Sequence, residues 1–425
     1  MLTAKFITFV FFIFLGLPVA LTLMISSVVP IVFFTDLTPM LVVQRMFFSL
    51  NSFSLLAIPL FMIAGAIMER GGVAKRLVDF AMAAVGWMPG GASVVIMMTG
   101  MLFGATTGSS TASSAAIGTV IMPGMLEKGY DKKYVMTSVA FAGFLGVVLP
   151  PSMPMIVYGN ATGADIGALF VAGIIPAFVL FFLMGGYSVY YGIKNKYELV
   201  PFDAKLLGRT FLRAIWALLM PVFILYGIYG GFFTPTETGA IACLYALFIG
   251  FFVYRELTIK KLFEALEKSA VTISMLLFII GCAATFGWLL AWADVPEIVG
   301  RFITGLTDNP YVFIFIVVVV LTLVCSVMDP IPAIMIMAPI LHVIAPNYGF
   351  SEIHFSMIVI ITISISVCTP PVGINLFVAS SLVKGARTHD TLNRHLVAYY
   401  SLCMVGLALL VAFPQIVEFL PNLLR

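Results

Sequence analysis

The chain has 425 residues, of which 62% are hydrophobic and 10% are charged, and its formal net charge is +3. Soluble domains carry about 25% charged residues, so this composition excludes a water-soluble protein. The small net charge gives no support to nucleic-acid binding. Apolar runs of roughly 20 residues recur along the chain, and each is long enough to cross a bilayer as a helix. We therefore expect residues 1–425 to form one transmembrane domain, an all-α polytopic membrane protein.

In chain order, nine segments are predicted to be membrane-spanning helices: 6–34, 50–69, 134–161, 168–193, 211–231, 236–254, 269–293, 355–383 and 396–413. Two further apolar runs, 93–126 and 311–346, are too long for one span. Polar, helix-breaking residues interrupt each run, GSSTASS at 108–114 and MDPIP at 328–332. Each run therefore predicts a re-entrant hairpin that reaches the middle of the membrane and returns.

Basic residues give the expected orientation, because Lys and Arg accumulate in cytoplasmic loops. The loop from Lys194 to Arg213 has five basic and two acidic residues, whereas the region from Asp294 to Asp308 has one basic and three acidic residues. The first loop is predicted to be cytoplasmic and the second external. Counting helices from these loops predicts a cytoplasmic N-terminus and an external C-terminus, which is periplasmic if the membrane is a bacterial inner membrane. The first hairpin then opens from the cytoplasm and the second from outside.

The two halves of the chain show the same order of features. Pro123 and Pro339, which close the two hairpins, are 216 residues apart, and the pairs Pro150-Pro151 and Pro370-Pro371 are 220 apart. We therefore predict an inverted repeat of residues 1–193 and 236–413, joined by the helix 211–231. Such halves, related by a pseudo-two-fold axis in the membrane plane, are typical of secondary transporters.

The proline pairs break the predicted helices 134–161 and 355–383. Proline has no N–H and clashes with the preceding turn, so carbonyls near each pair lose their partners within the helix. Each unpaired group costs several kcal/mol in hydrocarbon, and unwound backbone therefore persists only where it is buried in protein or lines a polar cavity. Free carbonyls are oxygen ligands for a small cation.

The hairpin tips supply further oxygen atoms. Asp329 stands in an otherwise apolar run, where an ionised group costs about 2.5 kcal/mol or more, and the repeat register places Ser113 opposite it. Serine-rich turns and proline kinks often serve packing alone, but here tip and break occur together in both halves. We predict two oxygen-lined cation sites, one with Ser109, Ser113, Gly146, Val148 and Pro150, the other with Asp329, Thr369 and Gly373. The predicted substrate-facing residues are Ser110, Thr111, Ser152, Asn160 and Asn375.

These segments resemble the large membrane subunit, of DctM type, of the tripartite ATP-independent periplasmic (TRAP) transporters. The quoted motifs are FSLLAIPLFMIAGAIMERGG at 53–72, the GSS tip, LPPSMPMIVYG at 149–159, LFVAGIIPA at 169–177, TPTE at 234–237, MDPIPA at 328–333 and TPPVGINLFVAS at 369–380. The resemblance implies sodium-coupled uptake of a small organic acid across the bacterial inner membrane. The substrates it implies are C4-dicarboxylates, sialic acids, other sugar acids or keto acids.

The resemblance also implies partners and a mechanism. A periplasmic solute-binding protein delivers the substrate, and a small four-helix membrane subunit, expected here on a separate chain, stands beside the large one. The hairpins and broken helices are implied to move as an elevator, with Na⁺ as coupling ion and no other cofactor or metal. Some sialic-acid members carry an acid where this chain has Ser113, so either the ligand set of the first site or the substrate is expected to differ from theirs. The ending FPQIVEFLPNLLR resembles those members.

Two other function classes compare poorly with this interpretation. An intramembrane enzyme is not supported, since the chain has no HExxH or GxxxxGK[ST] motif and no histidine near residues 109–114. A channel lacks a repeated filter or a ring of charges. The five cysteines (243, 282, 325, 368 and 403) lie singly in apolar segments, which favours buried thiols. A partner-independent sodium or proton symporter of the same architecture remains the alternative.

Overall fold

The computed structural model describes residues 1–197 and 201–424, and all regular secondary structure within these residues is helical. The predicted all-α class is therefore confirmed. The helices up to residue 195 are α1 (Leu2–Phe14), α2 (Val19–Phe34), α3 (Met40–Leu50), α4 (Ala57–Arg70), α5 (Val73–Val85), α6 (Gly91–Thr107), α7 (Ser110–Glu127), α8 (Lys132–Val148), α9 (Met153–Thr162) and α10 (Ile166–Asn195). Those that follow are α11 (Ala204–Tyr229), α12 (Pro235–Phe248), α13 (Ile259–Trp292), α14 (Val295–Leu306), α15 (Pro310–Cys325), α16 (Pro330–Ile344), α17 (Glu352–Ser366), α18 (Ile374–Ser381), α19 (Arg394–Ala412) and α20 (Gln415–Leu424). Glu198, one of the charges counted for the orientation, lies outside the described residues.

Several helices have the length and apolar character needed to cross a membrane. Six helices of the described chain meet both conditions on their own, and counting two bent pairs raises the number to eight. The bent pairs are α3 with α4, at 68°, and α8 with α9, at 46°. These spans make the protein a multi-pass membrane protein, as its composition predicts.

The predicted single span 6–34 is wrong, because the structure divides it into α1 and α2. Gly16 adopts a left-handed φ of +77° and Pro18 precedes α2, so the helix cannot continue between them. The Lys5 ammonium, in α1, donates to the Phe286 carbonyl of α13 at 2.6 Å. Ile31, in α2, packs in a cluster with Leu289, less than one turn further along α13. The start of α1 and the end of α2 therefore lie at the same end of α13.

Other helix limits differ from the predicted ones. A helix with a polar first turn, or a short helix, has too low a hydropathy there to be predicted from the sequence. The helix predicted at 269–293 begins at Ile259, where the Thr258 hydroxyl accepts a hydrogen bond from the N–H of Lys261 at 3.3 Å. The helix predicted at 211–231 begins at Ala204. Helices α3 and α20 have 11 and 10 residues and are absent from the predicted set.

The interruptions at the proline pairs and hairpin tips fall where the sequence predicts them. Helix α8 ends at Val148 before Pro150-Pro151, and α17 ends at Ser366 before Pro370-Pro371. The two hairpins, α6–α7 and α15–α16, open at opposite ends of α10. Gly90, before α6, contacts Gly192 near the end of α10, whereas His342, near the end of α16, hydrogen-bonds Tyr158 shortly before α10 starts.

Glycines set the close packing of α6 on α8. A Cβ atom built on Gly104 would overlap the backbone of Gly146, and one on Gly100 would overlap the carbonyl of Ala142. Small residues let helix backbones approach in a membrane, where dispersion contacts rather than the hydrophobic effect hold helices together. This contact fixes the first hairpin tip beside the first helix break.

Candidate functional site

The first hairpin turns over at Gly108 and Ser109. Gly108 has a φ of +64°, which glycine adopts without a steric penalty, and its N–H donates to the Gly104 carbonyl at 2.7 Å. Ser109 caps the start of α7, where its hydroxyl accepts from the N–H of Ala112 at 3.4 Å. The tip therefore brings together the C-terminal carbonyls of α6 and the N-terminal N–H groups of α7.

Hydroxyl groups form a connected series at this tip. The hydroxyls of Thr107 and Ser113 lie 3.2 Å apart, and the Ser113 hydroxyl also donates to the Ser109 carbonyl at 2.8 Å. The hydroxyls of Ser109 and Thr111 are 3.2 Å apart. Ser113 is fully buried. A hydroxyl that donates one hydrogen bond keeps its lone pairs, so the series retains oxygen atoms that can accept a cation.

The first tip is attached to the first helix break. The N–H of Met153, which begins α9, donates to the Gly108 carbonyl at 3.3 Å. Gly146 lies against the hydroxyl series, since a Cβ atom built on it would be 3.1 Å from the Ser113 oxygen. The structure thus groups Ser113 and Gly146 of the predicted first site with the tip residue Ser109.

The two other residues predicted for the first site face other helices. The Val148 carbonyl lies against α10, where a Cβ atom built on Gly173 would be 2.6 Å from it. Pro150 lines a mostly apolar cleft that it shares with Ile174 and with residues of α11. Once the helix ends at Val148, successive carbonyls no longer point in one direction, so these atoms separate from the tip.

The second tip repeats the arrangement of the first. Asp329 caps α16, and its carboxylate accepts a hydrogen bond from the N–H of Ile331 at 3.1 Å. The N–H of Val372, just after the second proline pair, donates to the Ser326 carbonyl at 3.2 Å. Each tip is therefore tied by a backbone hydrogen bond to the helix break of its own half.

The other two residues predicted for the second site belong to the second break. Gly373 adopts a φ of +52° directly after Val372, and the Thr369 hydroxyl donates to the Ile365 carbonyl at 3.5 Å. Within the described residues, neither is hydrogen-bonded to Asp329. The backbone bond to Ser326 nevertheless brings this break to the second tip.

A cavity of about 220 Å³ lies between the tips and the breaks. Its wall contains residues of the first tip (Gly108, Ser109, Ser110, Thr111), the second tip (Asp329, Pro330, Ile331), the first break (Val147, Met153, Pro154), the second break (Val367, Ile374) and α13 (Thr272, Met275, Leu276, Ile279), together with Met62 and Ser364. Of the predicted substrate-facing residues, Ser110 and Thr111 line this cavity.

Helix ends of both kinds converge on this cavity. Within the described chain, α7, α9, α16 and α18 reach it with their first residues. The last residues of α8, and the residues directly after α6 and α17, reach it as well. Helix N-termini carry a partial positive charge and C-termini a partial negative charge, so the cavity offers partners to an anion and to a cation.

A second cavity, of about 320 Å³, adjoins the first. The two share lining residues on α4, α7, α9 and α13, including Ser109, Thr111 and Thr272. The second cavity extends to Glu69 and Lys268, beside the ion pair of Arg70 and Glu264 at 3.2 Å. The central cavity therefore continues toward the basic end of α13, the end predicted to be cytoplasmic.

The remaining predicted substrate-facing residues do not line the central cavity in the described structure. Ser152 and Asn375 are fully buried, and the Ser152 hydroxyl and the Asn375 side-chain carbonyl have no hydrogen-bond partner among the described residues. The Asn375 amide donates to the Ala140 carbonyl at 3.1 Å. Asn160 accepts a hydrogen bond from the Ser52 hydroxyl at 2.8 Å. Two buried oxygens beside the breaks are therefore open to a further ligand.

The wall of the central cavity that α13 forms was not predicted from the sequence. Thr272, Met275, Leu276 and Ile279 recur on one face of α13 and line the central cavity. Their periodicity of three to four residues marks one helix face. In a membrane helix, however, that pattern is equally compatible with contact to lipid or to another helix, so sequence alone gave no reason to choose them.

Residues 6–416 match the family model of the tripartite ATP-independent periplasmic transporter, DctM component. The chain belongs to this family. The C4-dicarboxylate TRAP transporter large permease protein DctM of Pseudomonas aeruginosa is 36% identical over 89% of this chain and 88% of its own length. The 2,3-diketo-L-gulonate TRAP transporter large permease protein of Escherichia coli is 34% identical over 87% of each chain. The resemblance drawn from the motifs is thus confirmed.

A longer relative and two solved structures are also similar to this chain. The isethionate TRAP transporter permease protein DctMQ of Oleidesulfovibrio alaskensis is 37% identical over 88% of this chain, which spans 59% of that relative's length. The crystal structure of the Alcanivorax borkumensis YdaH transporter aligns with a TM-score of 0.59 at 15% identity, covering 88% of this chain and 89% of its own. Neisseria gonorrhoeae MtrF aligns with a TM-score of 0.59 at 17% identity, covering 96% and 94%. These structures share the fold of an all-α polytopic membrane transporter.

Proposed function

We propose that this chain is the large permease subunit of a sodium-coupled tripartite secondary transporter. It imports a small organic acid, such as a C4-dicarboxylate, a sialic acid or a related acid, which a periplasmic binding protein delivers. One observation carries this function: both hairpin tips and both helix breaks line the same cavity. Irregular backbone at membrane depth is stable only around such a cavity, and transporters use it to bind substrate and coupling ions.

Sodium is the coupling ion that the oxygen atoms of the site suit. The first site offers the hydroxyls of Ser109 and Ser113 and the backbone near Gly146, and the second offers the Asp329 carboxylate. The orphan oxygens of Ser152 and Asn375 add two further ligands beside the breaks. A buried oxygen without a partner costs about 1–3 kcal/mol, which an ion or an ordered water removes when it binds.

An organic anion fits the positive helix ends around the cavity. The N-termini of α7 and α16, the two hairpin tips, present N–H groups and the hydroxyls of Ser110 and Thr111. The relatives are named for isethionate, C4-dicarboxylates and 2,3-diketo-L-gulonate, which are all organic acids. The anion and the sodium ions would thus occupy neighbouring helix ends of opposite partial charge.

Transport follows an elevator mechanism in which the hairpins and broken helices move past α4 and α13. The α13 wall of the cavity is mainly apolar, with Met275, Leu276 and Ile279 facing the tips. Such a surface lets the tips slide without breaking hydrogen bonds. The adjoining cavity, which reaches Glu69 and Lys268, lies on the side from which the substrate would be released to the cytoplasm.

The division of span 6–34 changes the proposed position of the N-terminus. Helices α1 and α2 return to the same end of α13, so they do not cross the membrane together as one span does. Because Arg255, Lys260 and Lys261 lie at or just before the other end of α13, we propose that the N-terminus is periplasmic. The C-terminus remains periplasmic, since the Tyr229 hydroxyl at the end of α11 donates to the Pro421 carbonyl at 3.0 Å.

The tripartite function is tested by reconstitution. The chain is placed in proteoliposomes with a four-helix membrane subunit, and the binding protein is added outside after a ligand screen has identified its acid. Uptake is expected only with all three components and an inward sodium gradient. Uptake that persists when a proton gradient replaces sodium would refute the sodium coupling.

The same assay separates the alternative function. A partner-independent symporter of this architecture would transport the acid in liposomes that contain this chain alone. That result would remove the tripartite assignment while leaving the cavity and its ion sites in place.

A further inference from the structure

A cavity of about 420 Å³ lies apart from the transport site, between α5, α11 and the segment after α12. Its charged lining residues are Lys75, Arg76, Asp79, Arg213 and Glu256. They lie on the basic side of the membrane domain, since Lys75 and Arg76 follow Arg70, which pairs with Glu264 of α13. None of them lines the central cavity or the passage that adjoins it within the described chain.

The acidic residue Glu256 is already paired in this cavity. The Arg76 guanidinium is 2.7 Å from the Glu256 carboxylate and 3.9 Å from the centroid of the Tyr254 ring, and it donates to the Gly72 carbonyl at 2.8 Å. Among the described residues, Lys75 and Arg213 form no ion pair. Asp79 is the one other carboxylate of the lining, so the cavity keeps one excess positive charge.

Two exposed apolar side chains of α11 line the cavity, as expected of a site at the depth of the lipid headgroups. Trp216 lines it on α11, less than one turn from Arg213, and is 40% exposed; Leu212, also lining it, is 68% exposed. Tryptophan favours the membrane–water interface, where an apolar ring and a polar group are both accommodated. The Tyr254 ring, on which the Arg76 guanidinium lies, forms another part of the lining.

We propose that this cavity binds the phosphate headgroup of an anionic phospholipid of the cytoplasmic leaflet. Lys75 and Arg213 pair with the phosphate, and Leu212 and Trp216 contact the glycerol and the upper acyl chains. Basic cavities between membrane helices on the cytoplasmic side are suited to such headgroups. Since α5 leads into the first hairpin and α11 joins the two halves, the lipid bridges these two parts of the fold.

Lipid binding is measured on the purified, delipidated full chain by native mass spectrometry during titration with phosphatidylglycerol, and with phosphatidylcholine for comparison. Phosphatidylglycerol is expected to bind more tightly. Lys75→Gln and Arg213→Gln should each weaken its binding roughly fivefold, because one basic residue near an anionic lipid contributes about that factor. Asp79→Asn should strengthen it, since the carboxylate repels the phosphate. Arg209→Gln, an exposed charge on α11 outside the cavity, should leave it unchanged.

Thermal unfolding of each variant checks that the chain remains folded. Equal affinity for the two lipids, or unchanged affinity in the Lys75→Gln/Arg213→Gln double variant, would overturn the proposal. Displacement of phosphatidylglycerol by millimolar inorganic phosphate would overturn it as well, because the site would then bind the free anion rather than the lipid.

Discussion

Removing the fully buried hydroxyl of Ser152 should change the stability of the fold, and the sign of that change should depend on sodium. Ser152 precedes α9 as its cap residue, but its side chain makes no capping hydrogen bond and has no partner within the described residues. Burying an unpaired hydroxyl costs about 1–3 kcal/mol. Ser152→Ala removes that oxygen and keeps the Cβ atom, so without sodium the variant should be more stable than the wild type by about 1 kcal/mol.

Sodium should reverse or abolish this advantage if the hydroxyl is an ion ligand. At a sodium concentration 100 times the dissociation constant, binding stabilises the folded state by about 2.7 kcal/mol. A tenfold loss of affinity in the variant would reduce this gain to about 1.4 kcal/mol. The sodium-induced rise in melting temperature should therefore fall by about half.

The assay is thermal unfolding of the detergent-solubilised chain, followed by tryptophan fluorescence in choline chloride, potassium chloride and sodium chloride. Ser138→Ala is the matched control, because the buried Ser138 hydroxyl lies 2.9 Å from the Tyr134 carbonyl and 3.1 Å from the Tyr399 hydroxyl. It should lose stability in every salt and keep the full sodium response. If Ser152→Ala is destabilised in choline chloride, or responds to sodium as the wild type does, the hydroxyl has another role.

Three further predictions, tested with five substitutions, concern other parts of the structure. Asp329→Asn should raise the half-saturating sodium concentration for uptake at least about tenfold, because it removes a charge at ligand distance from the ion; a wild-type value would take Asp329 out of the site. Gly104→Ala should destabilise the fold by about 1–3 kcal/mol through overlap with the α8 backbone. Gly124→Ala, where a Cβ atom meets nothing within 4 Å, should not lower the melting temperature. The periplasmic N-terminus predicts that Thr3→Cys reacts with an impermeant maleimide in intact cells, whereas Lys384→Cys reacts only after permeabilisation. If Thr3→Cys also reacts only after permeabilisation, the N-terminus is cytoplasmic.

The helix breaks were predictable because their cause is local. A proline pair removes two N–H groups and clashes with the preceding turn whatever surrounds it, so α8 and α17 end beside Pro150 and Pro370. The hairpin tips were predictable for the same reason, since glycine, serine and aspartate favour turns and caps. Features that one or two residues determine can be predicted without knowledge of the fold.

The division of the first apolar run was hidden by its uniform hydropathy. Leu15, Leu17 and Val19 continue the apolar pattern through the break, and only Gly16 and Pro18 indicate it. Both residues occur in uninterrupted membrane helices as well, because neighbouring helices can satisfy the freed backbone groups. The direction of α2 is set by its packing on α13, which no local pattern encodes.

The predicted site residues also fall into two groups, those set by local chemistry and those set by the tertiary fold. Ser109, Ser113 and Asp329 were selected for their chemistry at the tips, and the fold places each at a tip. The directions of the Val148 carbonyl and the Asn375 side chain depend on how the chain turns after each proline pair. Those directions are tertiary properties, so the sequence identified the breaks but not which oxygens face the cavity.

The convergence of opposite helix ends gives a physical reason for coupled transport. A cation bound alone near the carbonyl ends of α6 and α8 leaves its charge uncompensated in a medium of low dielectric constant, and an anion bound alone at the N-termini of α7 and α16 does the same. When both are present, their charges attract each other as well as the helix ends. Each ion therefore raises the affinity for the other by the same factor, as linkage requires. Under the proposed sodium coupling, a cavity built in this way favours the fully loaded and the empty states over the half-loaded ones, and that preference would keep the sodium gradient from dissipating without substrate.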